Sequence, residues 1–216
     1  MGVCNFPLTM REGIGLDDTP AFRAARERGA ELTRTQATPA GAFRAARRMF
    51  LRGERLDMRA LATQLSISRA TLYRWCGDRE RLLSDVLWSL SHQLFEQATA
   101  DHARERGAER VLAIFRQHVS GIIGAGPLRT FLKQETHAAL RLLTSEAGSV
   151  QPRTARDLAE LLREEQRAGA LELRADPDTL AYAIVRMTEG FIYHDTFVGT
   201  EPDVERAASM VALLLM

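Results

Sequence analysis

Cysteine is nearly absent from this 216-residue chain: only Cys4 and Cys76 are present. Two thiols cannot form a disulfide framework, so a packed core must supply the stability, and a reducing cytoplasm is the expected compartment. Lysine is rarer still, since Lys133 is the single one among twenty-nine basic residues. Arginine matches phosphate and guanine edges bidentately, but a genome-wide codon preference accounts for the same skew and carries more weight. Long apolar runs are missing. A stretch such as Val211 to Met216 falls far short of the ~20 residues that span a bilayer. The N-terminus has no basic region ahead of an apolar core, so no secretory signal is expected. Strand-like alternation and hairpin signals are also lacking. No Gly-rich phosphate loop, nucleophile elbow or closely spaced Cys pair occurs. Glu135-x-His137 and His194-Asp195 bring acid and imidazole together, but neither has the His-Glu-x-x-His spacing of a zinc helix. The expectation is a non-enzyme with no catalytic residues, no metal site and no cofactor.

What remains is ordinary globular material, 45% hydrophobic and 26% charged, enough for one or two compact units. The net charge of +1 hides a division. Residues 1–81 hold fifteen arginines against nine acids, a balance of +6, and residues 82–216 balance to −5. Within the first part, residues 38–81 alone carry ten arginines and four acids, while residues 1–37 cancel. A basic segment suited to a polyanion thus precedes an acidic one with another task.

The apolar spacing is helical throughout, which makes an all-α fold the firm expectation. Residues 1–16 show no period and are expected to be a mobile tail. Asp18-Thr19-Pro20 opens a short Ala/Arg helix that ends at Gly29, part of an extension over residues 1–37. Its Arg23, Arg26, Arg28 and Arg34 suggest a minor-groove arm, but the cancelling acids favour a surface helix or flexible extension. Phe43, Ala46, Phe50 and Leu51 then share one helical face up to Gly53. Asp57 can cap a second helix bearing Leu61, Ala62 and Leu65, and Ser68 a third through Leu72 and Trp75. After Gly77-Asp78 a long helix carries Leu82, Leu83, Val86, Leu87, Leu90 and Leu94. Three short helices followed by a long one is a helix-turn-helix arrangement. Five further helical segments follow, near residues 107–123, 127–144, 151–168, 176–197 and 201–215.

The third helix begins Ser68-Arg69-Ala70-Thr71, and such a helix can present short side chains and an arginine to base edges in a major groove. Arg44, Arg47, Arg48, Arg59, Arg69, Arg74 and Arg79 could surround it and neutralise phosphates. The stretch resembles the DNA-binding domain of the TetR family of transcriptional regulators. Leu61-Ala62, Ile67-Ser68-Arg69-Ala70-Thr71-Leu72-Tyr73 and Arg79-Glu80-x-Leu82-Leu83 carry that resemblance, which extends over about residues 38–90. Residues 53–58, Tyr73-Arg74-Trp75 and Asp176 to Tyr182 are similar to the QsdR-type branch. The resemblance implies an N-terminal helix-turn-helix domain over residues 38–82, joined by a long helix to a helical ligand-binding and dimerisation domain over residues 83–216. It places Arg59, Arg69, Ala70 and Tyr73 toward bases and Thr71, Trp75 and Arg79 toward phosphates, with Ser68 and Arg74 in the same interface. Tyr73 could instead pack on the first helix, and Trp75 could be half-buried. Ser66 stands where glycine is usual at the turn, and Met58 replaces a side chain capable of a phosphate contact.

For the acidic part, the resemblance implies an effector pocket and a homodimer formed by the last two helices. Leu180, Ile184, Met187, Phe191 and the 204–215 stripe suit that interface. Trp88, Phe95, Phe115, His118, Phe131, His137, Met187, Glu189 and Phe191 are candidate ligand-binding residues, although most such residues are ordinarily core. His118, His137 and Glu189 interrupt apolar faces and could orient a carbonyl or a lactone-like effector. The expected partners are a palindromic double-stranded operator, a small-molecule effector and a second copy of the chain, with no membrane. The expected function is a cytoplasmic repressor released by its effector; a ligand-independent regulator controlled by a protein partner is the alternative. Cys76 lies near Arg74 and Arg79 but has no identifiable partner cysteine, so an inert thiol is favoured over a redox switch.

Overall fold

The computed structural model describes residues 19–27, 37–144, 150–194, 199 and 202–216. Among these, only helices and turns occur. The expected mobile tail and the arginines Arg28 and Arg34 lie outside the described residues, as does the side chain of Arg26. The chain divides into two compact units, with the division between Val86 and Leu87.

The first unit contains α1 (Pro20–Glu27), α2 (Pro39–Leu51), α3 (Met58–Gln64), α4 (Arg69–Cys76) and the start of α5 (Arg79–Asp101). Local chemistry sets each boundary. Thr38 caps α2 by accepting the Gly41 N–H at 3.0 Å, and Pro39 sits in the first turn, where a missing N–H costs nothing. Asp57 accepts the N–H groups of Arg59 and Ala60 at 2.6 and 3.0 Å to start α3. These bonds hold the Asp57 carboxyl below its ordinary pKa. Phe22, Phe43, Leu61, Leu72, Leu82, Leu83 and Val86 are fully buried between these helices.

The N-terminal helix is not the surface helix or loose extension expected from its cancelling charges. Phe22 is completely buried and meets the Phe43 ring edge-to-face, with centroids 5.0 Å apart. The Thr19 hydroxyl both caps α1, accepting the Phe22 N–H at 3.1 Å, and donates to the buried Asp85 carboxylate. An aromatic anchor and a buried hydrogen bond outweigh the neutral surface composition that suggested looseness.

The second unit contains the rest of α5, α6 (Gly107–Gly124), α7 (Gly126–Gln134), α8 (Thr136–Thr144), α9 (Val150–Arg167), α10 (Pro177–Glu189) and α11 (Val204–Leu215). The segment expected as one helix over 127–144 is broken at Glu135. There the Thr136 hydroxyl donates back to the Leu132 carbonyl at 2.8 Å, a bond that bends helices. The segment expected to run to about residue 197 changes to a π turn over Gly190–His194. Helix α9 packs along α10, and α11 packs on α6. Val111, Ile114, Leu162, Ala181, Ile184, Ala207 and Val211 form the centre of this core.

One charged pin is buried in it. Glu165 accepts from the Gly107 N–H and from Arg110, tying the start of α6 to the end of α9. Gly107 has φ +61°, and a Cβ there would collide with the Ala170 carbonyl oxygen, so the position requires glycine.

Candidate nucleic-acid interface and sensing core

Helix α4 shows how a recognition surface arises from a two-turn sequence. Ser68 is extended and its hydroxyl accepts the Thr71 N–H at 3.1 Å, while the two hydroxyls lie 2.9 Å apart. Leu72 and Cys76 fall on the buried face. The remaining face exposes Arg69, Ala70, Tyr73 and Arg74, with Tyr73 43% accessible. Arg59 is exposed on α3. Thr71 and Trp75 are half-buried at the edge of this face. Tyr73 therefore does not pack on the preceding helices as a core residue.

The turn before α4 holds the departure noted at Ser66. Its φ is +55°, the one positive value among the described non-glycine residues. Ser66 N–H bonds to Thr63 O at 3.0 Å and Ile67 N–H to Ala62 O at 3.1 Å. These two bonds close α3 in a Schellman motif, and they hold serine in the left-handed conformation usually given to glycine.

The expected ring of arginines is smaller than the sequence suggested. Arg44 and Arg47 are each only 7% accessible, because α1 and the rest of the unit cover that side of α2. Burial lowers the Arg47 pKa. They are structural residues and leave the phosphate-facing set. Arg48 is half-buried. Arg79 is half-buried too, and its Nε–H donates to the Leu56 carbonyl at 2.6 Å. It fastens the start of α5 to the turn preceding α3. Cys76 is buried, and desolvation with the nearby Asp85 charge pushes its pKa up to about 12. That environment supports an inert thiol.

In the second unit, Trp88, His92, Phe95 and His118 gather with polar groups of α9. His118 is buried, and its Nε2 lies 3.1 Å from both Ser91 O and Ser91 Oγ. A carbonyl only accepts, so Nε2 carries the proton. Burial lowers the His118 pKa to about 4, and the Phe95 ring packs against it edge-to-face at 5.5 Å. His92 stacks on Trp88 at 4.7 Å, and its Nδ1 lies 2.7 Å from Asp157 Oδ2. The Arg153 guanidinium sits 4.9 Å above the Trp88 ring.

His92, Ser91, Arg153 and Asp157 were not among the expected ligand-binding residues. His92 is one turn beyond Trp88, so helical spacing could have found it. Arg153 and Asp157 belong to the charged face of α9, which reads as solvated; the helix covers Arg153 to 4% accessibility instead. Phe115 and Phe131 are buried core residues. His137 is exposed on α8 and does not join the others; its face of that short helix is the outer one.

Met187 and Phe191 are half-buried against the core near the end of α10. Beside them, Arg186 Nη1 donates to Glu189 Oε2 at 3.0 Å and to the Thr144 carbonyl at 2.7 Å. Burial raises the Glu189 pKa, and Arg186 opposes that shift. Burial, with the Glu189 charge, also raises the pKa of the Tyr193 phenol.

A family model described as tetracyclin repressor-like, C-terminal domain, matches residues 106–216, just over half of the chain. The solved structure of the R. erythropolis transcriptional repressor QsdR, from the TetR family, is 31% identical with a TM-score of 0.74, covering 81% of this chain and 92% of that one. The chain belongs to the TetR family. It is therefore a DNA-binding transcriptional regulator rather than an enzyme, with the all-α, helix-turn-helix organisation of that family. FadR from Bacillus subtilis, solved in complex with stearoyl-CoA, shares the fold at 17% identity and a TM-score of 0.54, covering 81% of this chain and 95% of that one. No curated protein sequence matches significantly. Among the described residues, no helix of this TetR-family chain is long and apolar enough to cross a membrane.

For a TetR-family chain, the apolar residues left uncovered on the last helices matter. Leu180 and Ile184, expected at a dimer interface, are buried within the unit itself, as are Ala208, Val211 and Leu215. They face α9 and α6, which leaves the opposite sides of α10 and α11 outward. Those sides expose Tyr182 at 51%, Met210 at 43% and Leu213 at 62%.

Proposed function

We propose that the chain is a homodimeric, cytoplasmic repressor that binds a palindromic operator and releases it when a small effector occupies the second unit. The observation that carries this reading is the exposed stripe of Arg69, Ala70, Tyr73 and Arg74 on a capped, two-turn helix whose other face is core. Arg69, Ala70 and Tyr73 read base edges, helped by Arg59 from α3. Ser68, Thr71, Arg74, Trp75 and Arg79 lie toward phosphates and fix the register. Arg79 does so alongside its bond to Leu56.

Residues 38–82, with α1 packed on them, read DNA, and residues 83–216 sense and dimerise. The outward Tyr182, Met210 and Leu213 support self-association through α10 and α11, since large apolar side chains at this exposure are ordinarily covered by a partner. The buried His118 on Ser91 and the half-buried His92–Asp157 pair, with Trp88 and Phe95, give the second unit polar groups that could orient an effector. A two-fold dimer sets its recognition helices about 34–36 Å apart, one turn of DNA.

Footprinting of the DNA upstream of the protein's own gene tests the reading. Two symmetrically related protected half-sites are expected, lost when Leu213→Glu converts the protein to monomer by sedimentation. Protection of a single asymmetric site by a stable monomer would replace the dimeric reading.

A further inference from the structure

A two-turn helix does not hold its own direction. Helix α4 has eight residues, well under the ~12–15 at which an isolated helix becomes even marginal in water, so its direction is set by what packs on it. Helices α2 and α3 pack on it, and so does α1. Helix α5, which follows α4 across the Gly77–Asp78 turn, is fastened twice. At its first residue the Arg79 Nε–H donates to the Leu56 carbonyl at 2.6 Å. Asp85 follows about 9 Å farther along the helix, at 1.5 Å per residue. Its Oδ2 accepts from the Thr19 hydroxyl at 2.7 Å and from the Thr19 N–H at 3.4 Å.

The second fastening stands beside the recognition helix. Cys76, the last residue of α4, is fully buried, and the Asp85 charge reaches its thiol. Phe22 meets Phe43 of α2 edge-to-face at 5.0 Å. Helix α1 therefore touches α2 and α4 by packing and α5 by a buried hydrogen bond. Thr19 is 1% accessible and Phe22 0%, so neither side chain can meet DNA. Whatever they contribute to DNA reading passes through the helices they hold. A hydrogen bond weakens steeply as its angle departs from linear, so Arg69 reads a base edge only while α4 keeps its direction.

We propose that α1 is a brace for the recognition helix, with Thr19 and Phe22 as positioning residues that hold α4 and α5 in the arrangement that reads sequence. The brace rests on the reading of α4 given above and adds a fourth helix to it. When the brace is slackened, α4 spends part of its time in directions that do not fit the groove. Apparent operator affinity then falls with the fraction of molecules still competent. Attraction of arginines to the phosphate backbone needs no alignment with a base edge, so it tolerates such movement. Loss of the brace therefore removes discrimination between sequences and spares general affinity for DNA.

Binding isotherms of the full-length protein on the upstream duplex used for footprinting, and on a scrambled duplex of the same length and composition, test the proposal. They are measured at a temperature where circular dichroism shows each variant fully folded. Thr19→Val is expected to weaken binding to the upstream duplex about tenfold, the scale of one buried hydrogen bond, and to leave the scrambled duplex unaffected. Thr19→Ser keeps the hydroxyl and is expected to restore the wild-type ratio of the two affinities. Phe22→Leu removes the ring contact while staying apolar; it is expected to lower the ratio too, and supplies the comparison if Thr19→Val does not fold. A purely structural α1 would give Thr19→Val a lower Tm with the ratio unchanged. That result, or an equal loss on both duplexes, would overturn the brace. Wild-type protein that itself fails to distinguish the duplexes would remove the reading of α4 and the brace with it. Wild-type discrimination kept intact in the α1 variants removes the brace alone.

Discussion

The Thr19 hydroxyl donates to Asp85 Oδ2 at 2.7 Å, joining the cap of the first helix to a buried carboxylate on α5. Both residues are about 1% accessible, so this bond and the Phe22–Phe43 contact make α1 part of the DNA-reading unit.

Removing these contacts should therefore destabilise that unit. Thr19→Val is expected to cost about 1.5–3 kcal/mol, the value of a buried hydrogen bond to a charged group, with Thr19→Ser near wild type. Phe22→Ala is expected to cost about 3–5 kcal/mol. Urea unfolding followed by circular dichroism measures both; a Phe22→Ala protein as stable as wild type would return α1 to the status of a loose extension.

Ser66→Gly should act in the opposite direction. A left-handed conformation costs a non-glycine residue about 1–2 kcal/mol, partly offset by the greater freedom of glycine in the unfolded chain. A net gain of about 0.5–1 kcal/mol is expected, with DNA affinity unchanged because the Schellman bonds remain. Loss of stability would show that the serine side chain itself matters in the turn.

Much of this was legible beforehand. The caps Asp57 and Ser68, the stops at Gly53 and Gly77 and the apolar stripes set the helices, because these depend on neighbours in sequence. The docking of α1 was not, since it depends on Phe22 meeting Phe43 and Thr19 meeting Asp85, residues far apart in the chain. The same limit hid the burial of Arg44 and Arg47, whose type predicts a surface. It also hid His92, Arg153 and Asp157, which acquire their setting only when α9 is laid on α5. The break at Glu135 and the π turn at Gly190 were missed because both continue an apolar helical period while shifting it by local bonding.

His118 gives the second unit a defined acid response. Its pKa in the folded protein is lowered from 6.5 to about 4 by burial, so the native state binds this proton less readily than the unfolded chain. The associated stability is fully present above the unfolded value and is lost as pH falls toward the folded one, to a total of roughly 3 kcal/mol. Unfolding free energies measured across that interval should fall less steeply for His118→Asn than for wild type. Identical slopes would show that His118 is protonated in both states or in neither.

The central claim is that α4 reads sequence through Arg69, and binding isotherms on the operator and on single-base variants of it test that claim most directly. Arg69→Ala is expected to lose about 1–3 kcal/mol on the operator and to flatten the differences among variants, as removal of a bidentate base contact does. Arg69→Ala that binds every sequence more weakly by the same factor, with the wild-type base preference intact, would contradict it.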